Sequence, residues 1–320
     1  MISQEELNSF YKEKLEAGLG ELEKQRKVLR NLDLTVKVGI GILVLFYFLP
    51  NPFSLLGIEK GAVTEVLTYI IVAISVVLYG LFMYKKAPYR KQYKEKVVRS
   101  IVDLIDEKWT YSPEGMISKS QYERSKLFTK SVDAYKGDDL IKGRIGFTEF
   151  ECSELQTQYK KVRGSGKNRK TSWHNIFKGL FFNADFNKYF SGETFVRTKG
   201  WDLDLLGSDS TVKLEDPNFS KIFKVKSTDQ LEARYILTPN VMEAFINLYN
   251  YYRKPIDVSF VGSRVNCAVS FDEDLFAPPI YDTIYDLEVI QRVCSLFYFN
   301  QVVIDELNLN ARIWMKGVGL

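Results

Sequence analysis

"VLTYIIVAISVVLYGLFMY", Val66 to Tyr84, is the most informative stretch of this 320-residue chain. It contains 19 residues without one charged side chain. An α-helix of that length rises roughly 28 Å, which is close to the thickness of the hydrocarbon layer of a bilayer. The sequence therefore predicts a membrane-spanning helix over residues 66–84.

A second apolar run, "LTVKVGIGILVLFYFL", occupies residues 34–49 and contains one charge, Lys37. A lysine near the end of a span can extend its ammonium to the lipid headgroups, so this charge does not exclude a span. Taken alone, the run also fits a buried core helix. Beside residues 66–84 it favours a two-helix transmembrane hairpin over residues 34–84, whose first helix ends at Pro50 and Pro52.

The flanking charges predict the orientation of this hairpin. Residues 1–33 hold six Lys or Arg and residues 85–99 hold seven, whereas the loop between the two runs holds one, Lys60. Positive charge is retained on the cytoplasmic side of a membrane. We therefore expect a multi-pass protein of the cell (inner) membrane with both termini cytoplasmic. The first 33 residues are polar and charged, which does not fit a cleavable signal peptide.

The segments on either side of the hairpin have helical patterns of their own. Residues 1–33 are predicted to form a cytosolic amphipathic helix, and residues 85–110 a cytosolic helix that continues the second span. These helices either pack against each other or the distal domain, or lie flat on anionic lipid. Acidic residues interspersed on both favour packing.

Residues 111–320 predict a cytosolic α+β domain with an antiparallel sheet and a C-terminal helix. Ser118 or Ser120 is placed to cap a short helix, and "PNVMEAFINLYNYY" is amphipathic with proline near its start. "PIDVSFVGSRVNCAVSF" has two alternating runs about a Gly-Ser-Arg turn, the clearest hairpin signal in the chain. The final helix is expected at roughly residues 283–307.

Four stretches of this distal part together resemble the bacterial membrane-anchored family catalogued as domain of unknown function 3137. They are "YKGDDLIKGRIGFTEFECSELQT", "IFKGLFFNADFNKYFSGETFV", "FKVKSTDQLEARYILTPNVMEAF" and "VSFVGSRVNCAVSF…LFAP". The resemblance covers about residues 111–298 and includes the two apolar runs ahead of them. It implies a membrane-anchored protein with a cytosolic domain, and it implies no reaction and no site residues.

The segment "KKVRGSGKNRKTSWH", residues 160–174, carries six positive charges in its first eleven residues. A Walker loop, GxxxxGK[ST], would need glycine at Lys161 and a hydroxyl at Asn168, and GxGxxG would need glycine at Arg169. The segment therefore predicts a solvated hairpin tip, with contact to an anionic membrane surface as the alternative. The residues proposed for that contact are Lys160, Lys161, Arg163, Lys167, Arg169 and Lys170.

Other reactive side chains give no recognisable catalytic or metal-binding pattern. His174 is the only histidine, and we interpret it as structural and strand-borne. The cysteines, Cys152, Cys267 and Cys294, are far apart in apolar contexts that suit buried, reduced thiols. Acidic groups cluster in "GDD", 137–139, and "FDEDLF", 271–276. Turn chemistry accounts for both clusters, whereas a metal cage or catalytic pair would need acids that converge in space.

These observations predict no catalytic residues, no cofactor and no metal site. They favour a non-enzymatic, membrane-anchored interaction or scaffold protein whose partners are the bilayer and either another protein or a second copy of the chain. The alternatives are an anionic-lipid-binding or lipid-sensing domain, and a membrane-proximal enzyme with an unidentified site. The net charge of +4 is too small to indicate nucleic-acid binding, and none is expected.

Overall fold

The computed structural model describes residues 16–48, 62–164, 169–185, 189–200, 210–285, 297, 300–302 and 304–305. It has a mixed α/β fold with helices and one large antiparallel sheet. The chain divides into two compact units. We call residues 3–100 with 277–286 the helical unit, and residues 101–276 with 287–320 and 1–2 the sheet unit.

Two long helices form most of the helical unit: α1, Glu16–Phe48, and α2, Ala62–Tyr93. α1 runs without a break from the predicted cytosolic segment into the first predicted span, so these two form one helix. Residues 49–61, which include the predicted connection between the spans, lie outside the described residues. Within the described part of the chain, one helix, Glu65–Ile105, is long and apolar enough to cross a membrane by length and composition.

α2 continues through a π-helical segment, Lys94–Val98, into α3, Arg99–Ile105. Of the helix predicted over residues 85–110, residues 85–105 are helical, whereas residues 106–109 are not and Thr110 begins a strand. The π-helical segment buries Lys94, Val97 and Val98, and it replaces the regular α-helical spacing just before the sheet unit begins at Ile101.

The helical unit also contains a non-helical segment from late in the chain, residues 277–285, which we call the strap. The Arg26 guanidinium forms a bidentate salt bridge with the Glu23 carboxylate, at 2.7 and 2.8 Å. It also donates to the carbonyl oxygens of Ile280 and Tyr281 in the strap, at 2.8 and 3.0 Å. The Tyr89 hydroxyl donates to Pro279 O at 2.9 Å. Because Arg26 and Tyr89 are almost fully buried, these bonds fix the strap on the helices.

Nine strands form the sheet, in the spatial order β1-β2-β3-β4-β9-β8-β5-β7-β6, and every pairing is antiparallel. The strands are β1 Thr110–Ser112, β2 Ala134–Ile145, β3 Thr148–Arg163, β4 Lys170–Asp185, β5 Thr194–Thr198, β6 Thr211–Val212, β7 Phe223–Ser227, β8 Ile256–Val261 and β9 Arg264–Ser270. The helices are α4 Lys119–Arg124, α5 Pro217–Ile222, α6 Gln230–Ile236 and α7 Pro239–Tyr252.

Several local predictions are confirmed. Ser118 caps α4 in a capping box with Gln121, and α7 begins at the predicted proline with Thr238 as its cap. The predicted hairpin is β8–β9, whose turn contains Gly262 at φ +63°. Of the predicted final helix, residues 283–285 are not helical, and the described residues from 297 to 305 are.

The sheet is covered on both faces by apolar side chains. On one face, Tyr122, Phe177 and Phe181 form a core with residues from α4 and the segments beside it. On the other face, Trp109 packs edge-on against Phe150 at 4.7 Å between ring centroids, and Phe297 packs against both rings. The described residues of the C-terminal segment therefore contribute to the core of the sheet unit.

A row of polar side chains crosses the middle of the sheet. Asn183 on β4 lies opposite Asn266 on β9 and donates to its Oδ1 at 2.5 Å. Asn266 donates to Ser259 Oγ on β8 at 3.2 Å, and that hydroxyl donates to Ser125 O at 2.7 Å. The two asparagines and both serines are at most 1% exposed. Each link supplies a partner to a polar group that burial removes from water.

The close approach of β4 and β9 predicts that Gly179 does not tolerate a side chain. It has φ +150°, and an added Cβ would lie 2.1 Å from Val269 O. We expect Gly179→Ala to lower the free energy of unfolding by about 3 kcal/mol. Thermal and denaturant unfolding of the detergent-solubilised chain measures this. Gly20→Ala is the matched control, since a Cβ there meets open space in a helix. Equal stability of Gly179→Ala and wild type would contradict the close approach.

Candidate functional sites: a carboxylate cluster and a basic β-ribbon

Three acidic side chains converge where β2 and β3 pair, and we call Asp138, Asp139 and Glu154 the carboxylate cluster. Their carboxylate oxygens lie within 4.8 Å of one another. Asp138 and Glu154 are opposite each other in register, and a β-bulge follows Asp138. The bulge places Asp139 at φ +58° with its side chain fully buried, so both aspartates reach Glu154 although they are adjacent in sequence.

The surroundings of the cluster hold a proton on Glu154. Burial raises the pKa of this carboxyl far above its ordinary value of 4.5, and the hydrogen bond and negative charge of Asp274 and the charge of Asp139 raise it further. The Leu275 N–H donates to Glu154, which opposes the shift. The Tyr111 hydroxyl donates a hydrogen bond to Asp139 Oδ1. At neutral pH the Glu154 carboxyl is therefore protonated.

This arrangement can exchange a proton between buried carboxyls, and a hard cation such as Ca²⁺ or Mg²⁺ would prefer the same oxygen ligands. Cation binding would first require Glu154 to lose its proton, which the buried site opposes. The geometry thus favours a proton-holding structural cluster over an open metal cage.

The carboxylate cluster and the neighbouring Asp274 bring together the two acidic stretches noted in the sequence. Asp138 and Asp139 come from "GDD", and Asp274 comes from "FDEDLF" more than 130 residues later. The turn interpretation of Gly137–Asp139 is wrong, because these residues lie within β2 at its bulge. Glu154 carried no local signal in the sequence, and only the strand register shows that it belongs with them.

The predicted basic segment forms the far end of the β3–β4 hairpin, as expected. Arg163 pairs with Lys170, Lys161 with Ser172 and Lys160 with Trp173 across the two strands. Lys160, Lys161, Arg163, Arg169 and Lys170 are all exposed. Lys167 lies outside the described residues. The structure therefore brings five of the six predicted contact residues together on one projecting ribbon.

His174 is on a strand, as predicted, but it is exposed rather than buried. Its ring stacks on Tyr159 at 5.2 Å between centroids, and Nε2 lies 2.9 Å from Ser172 Oγ. Cys152 and Cys267 are buried, free thiols whose pKa burial raises. The register pairs Cys152 with Phe182 and His174 with Tyr159, so these two cannot form a dyad. Cys294 is outside the described residues.

A cleft of about 380 Å³ opens beside Trp109 and the β2–β3 turn. Most of its charged side chains pair with one another: Lys142 with Glu151 at 2.5 Å, Arg144 with Glu149 at 2.6 Å, and Arg264 with Asp185 at 3.1 Å. Such mutual pairing leaves little net charge to select a charged ligand, so the cleft is a weaker candidate than the β3–β4 ribbon.

The described residues form a mixed α/β protein with a nine-stranded antiparallel sheet, and among them one helix is suited to crossing a membrane by length and composition. Residues 175–309 match the family model described as "Protein of unknown function (DUF3137)". This match confirms over those residues the family resemblance inferred from the sequence.

No curated protein matches the chain. Among solved structures, the chain is similar to the crystal structure of the mycobacterial trehalose monomycolate transport factor A, with 9% sequence identity and a TM-score of 0.33. The likeness covers 64% of this chain and 92% of that one. At this TM-score it carries no argument about function.

The raised pKa of Glu154 predicts how stability changes with pH. The folded state binds a proton that the unfolded chain releases above about pH 4.5, so wild-type stability falls as pH rises from there. Glu154→Gln cannot ionise and keeps both hydrogen-bonding roles. We expect its stability relative to wild type to improve between pH 5 and pH 8, by at most about 1.4 kcal/mol per pH unit.

Unfolding melts of wild type and Glu154→Gln across that pH range measure the effect. The control is Glu151→Gln, on the same strand, which removes a carboxylate outside the cluster and its ion pair with Lys142. This variant should be no more stable than wild type anywhere between pH 5 and pH 8. A Glu154→Gln variant that loses stability relative to wild type as pH rises would contradict the protonated cluster.

Proposed function

We propose that this protein is a non-enzymatic interaction protein of the cell membrane, in which α1 and α2 cross the bilayer and the sheet unit is the binding module. The observation that carries the proposal is the outward exposure of apolar side chains along both helices of the helical unit. Apolar side chains of α1 that are more than half exposed include Val38, Ile40 and Leu45. Apolar or aromatic side chains of α2 that are more than half exposed include Val66, Tyr69, Ile74, Val76, Val77 and Tyr79. Contiguous apolar exposure on this scale is typical of a lipid-facing surface.

Contacts between the helices support an antiparallel pair at bilayer depth. Gly39 faces Ser75 so closely that a Cβ on the glycine would lie 2.6 Å from Ser75 Oγ. Small residues of this kind let helices approach in lipid. Further along, Gln25 Nε2 donates to Gln92 Oε1 at 3.1 Å. From the first contact to the second, the residue number falls from 39 to 25 on α1 and rises from 75 to 92 on α2, so the two helices are antiparallel.

The charge within the first proposed span has partners in the protein. Lys37 Nζ lies 2.8 Å from Asp33 Oδ2 and contacts the hydroxyl of Tyr281 in the strap. Its ammonium also lies 4.6 Å from the centre of the Tyr281 ring. A charge paired in this way is less costly near the end of a span. The flanking basic residues then favour both termini on the cytoplasmic side.

The sheet unit supports binding rather than catalysis. Its described thiols are buried, its histidine is stacked on Tyr159, and its converging acids hold a proton. At the surface, Leu231 and Tyr235 lie one turn apart on α6 and are 65% and 52% exposed, and Tyr251 on α7 is 48% exposed. Exposed apolar and aromatic side chains suit a protein partner or a second copy of the chain.

The two-span topology predicts which positions an impermeant maleimide reaches in intact cells. The background is Cys294→Ser, in which the remaining cysteines, Cys152 and Cys267, are buried and should not react. Ser54→Cys, in the loop between the spans, should be labelled in intact cells because the proposed topology places it outside. Ser3→Cys and Glu215→Cys should be labelled only after permeabilisation. Labelling of Glu215→Cys in intact cells, or equal labelling of all three positions, would overturn the topology.

The interaction role predicts a specific cross-linked species in native membranes. A lysine-reactive cross-linker followed by denaturing electrophoresis should give a discrete adduct of the 37.0 kDa chain. An adduct of twice that mass indicates a second copy, and any other discrete mass indicates a different protein. Membranes denatured before cross-linking are the control. Recovery of the monomer alone would count against a scaffold role.

A further inference from the structure

The end of the β3–β4 hairpin projects beyond the rest of the sheet. β2 pairs with β3 only as far as Gln158, and β9 pairs with β4 only from Gly179. Residues 159–163 and 170–174, which we call the β-ribbon, pair only with each other among the described strands. At about 3.3 Å per residue the β-ribbon is roughly 16 Å long. All of it except Tyr159 is exposed.

The β-ribbon has two chemically different faces, because directly opposed residues of an antiparallel pair share a face. One face carries Lys161, Arg163 and Lys170 beyond the stacked rings of Tyr159 and His174. Lys130 Nζ adds a further cation 4.2 Å from the centre of the Tyr159 ring. This face is therefore strongly basic.

The opposite face combines one cation with apolar surface. Trp173 is 50% exposed and Val162 is 39% exposed, and Lys160 Nζ lies 5.9 Å from the centre of the indole ring. Tryptophan beside lysine is typical of side chains at a membrane–water interface. A half-exposed indole on a projecting ribbon contributes little to the core of the sheet unit.

The β-ribbon has no acidic residue of its own, although Asp133 accepts from the Lys160 backbone N–H at 2.7 Å. Residues 159–175 contain six Lys or Arg and no Asp or Glu. Within the described residues, no salt bridge joins a carboxylate to Lys160, Lys161, Arg163, Arg169 or Lys170. The side chains are therefore available to an anionic partner from outside the chain.

We propose that the β-ribbon binds the surface of an anionic phospholipid bilayer, with Trp173 and Val162 in the interface and the basic side chains on lipid phosphates. Lys160 shares the face of Trp173. The β-ribbon is only two strands wide, about 5 Å between strands, so the long stems of Lys161, Arg163 and Lys170 can reach around its edges towards the same surface. The aliphatic Val162 beside a single indole suits lipid better than stacked RNA bases, which favour several aromatic platforms. This inference adds a binding surface to the proposed function. It rests on that function, because it requires the sheet unit to be held near a membrane.

The test uses the full chain in nanodiscs of pure phosphatidylcholine, mixed with sucrose-loaded vesicles that are then pelleted. Wild type should pellet with vesicles that contain phosphatidylglycerol and not with vesicles of phosphatidylcholine alone, and added salt should weaken pelleting. The variant Lys161→Glu/Arg163→Glu/Lys170→Glu should bind anionic vesicles at least about tenfold more weakly. Trp173→Ala, which keeps the charge, should also bind more weakly than wild type.

The matched control is Lys213→Glu/Lys221→Glu/Arg234→Glu, which makes the same charge change at exposed positions outside the β-ribbon. It should bind within about twofold of wild type. Equal losses in the control and β-ribbon variants would overturn the proposal, as would equal pelleting on neutral vesicles. Binding of an RNA oligonucleotide through the β-ribbon, without vesicle binding, would also overturn it.

Failure of the proposed anchor gives a different result. In that case the chain is recovered without lipid or detergent and does not enter nanodiscs. The same pelleting experiment on the lipid-free chain then still compares wild type with the two triple variants. Loss of the anchor and loss of β-ribbon binding are therefore separate observations.

Discussion

The hydrogen bond between Asn183 and Asn266 lies at the junction on which the sheet depends. β4 is the last strand of the β1–β4 series and β9 the last strand of the second series, and their pairing joins the two halves of the sheet. A slip of one residue would move every side chain of a strand to the opposite face. The two buried amides would then lie on opposite faces of the sheet, and their hydrogen bond would be lost. Their bond therefore favours one register among several that apolar packing alone would permit.

Features with local causes could be predicted from the sequence. A serine at 118 or 120 predicts the cap of a short helix, and Gly262 between alternating runs predicts a hairpin turn; the structure has Ser118 as that cap and β8–β9 as that hairpin. The carboxylate cluster could not be predicted, because it depends on the register of β2 against β3 and on the loop that delivers Asp274. Six basic residues predicted a charged tip, but the separation of its two faces required the observed pairing.

Three buried ionisable side chains among the described residues are stabilised in different ways. Arg26 retains its charge because Glu23 and two carbonyls surround it. Glu232 accepts from the Ser191 and Gly192 N–H groups at 2.7 Å each, so its partners are backbone donors. Glu154 keeps a proton instead, because its neighbours are acidic. Each solution follows from what surrounds the group and avoids an uncompensated charge in the interior.

The strap has a consequence for the order in which this protein is completed. Synthesis begins at the amino terminus, so Arg26 and Tyr89 leave the ribosome long before Pro279 and Ile280. All nine strands of the sheet are translated in the interval, since β9 ends at Ser270. During that time the Arg26 and Tyr89 side chains lack the carbonyl oxygens that they bind in the finished structure. The helical unit therefore reaches its final form only after the sheet strands have been made, although both of its long helices are translated before any of those strands.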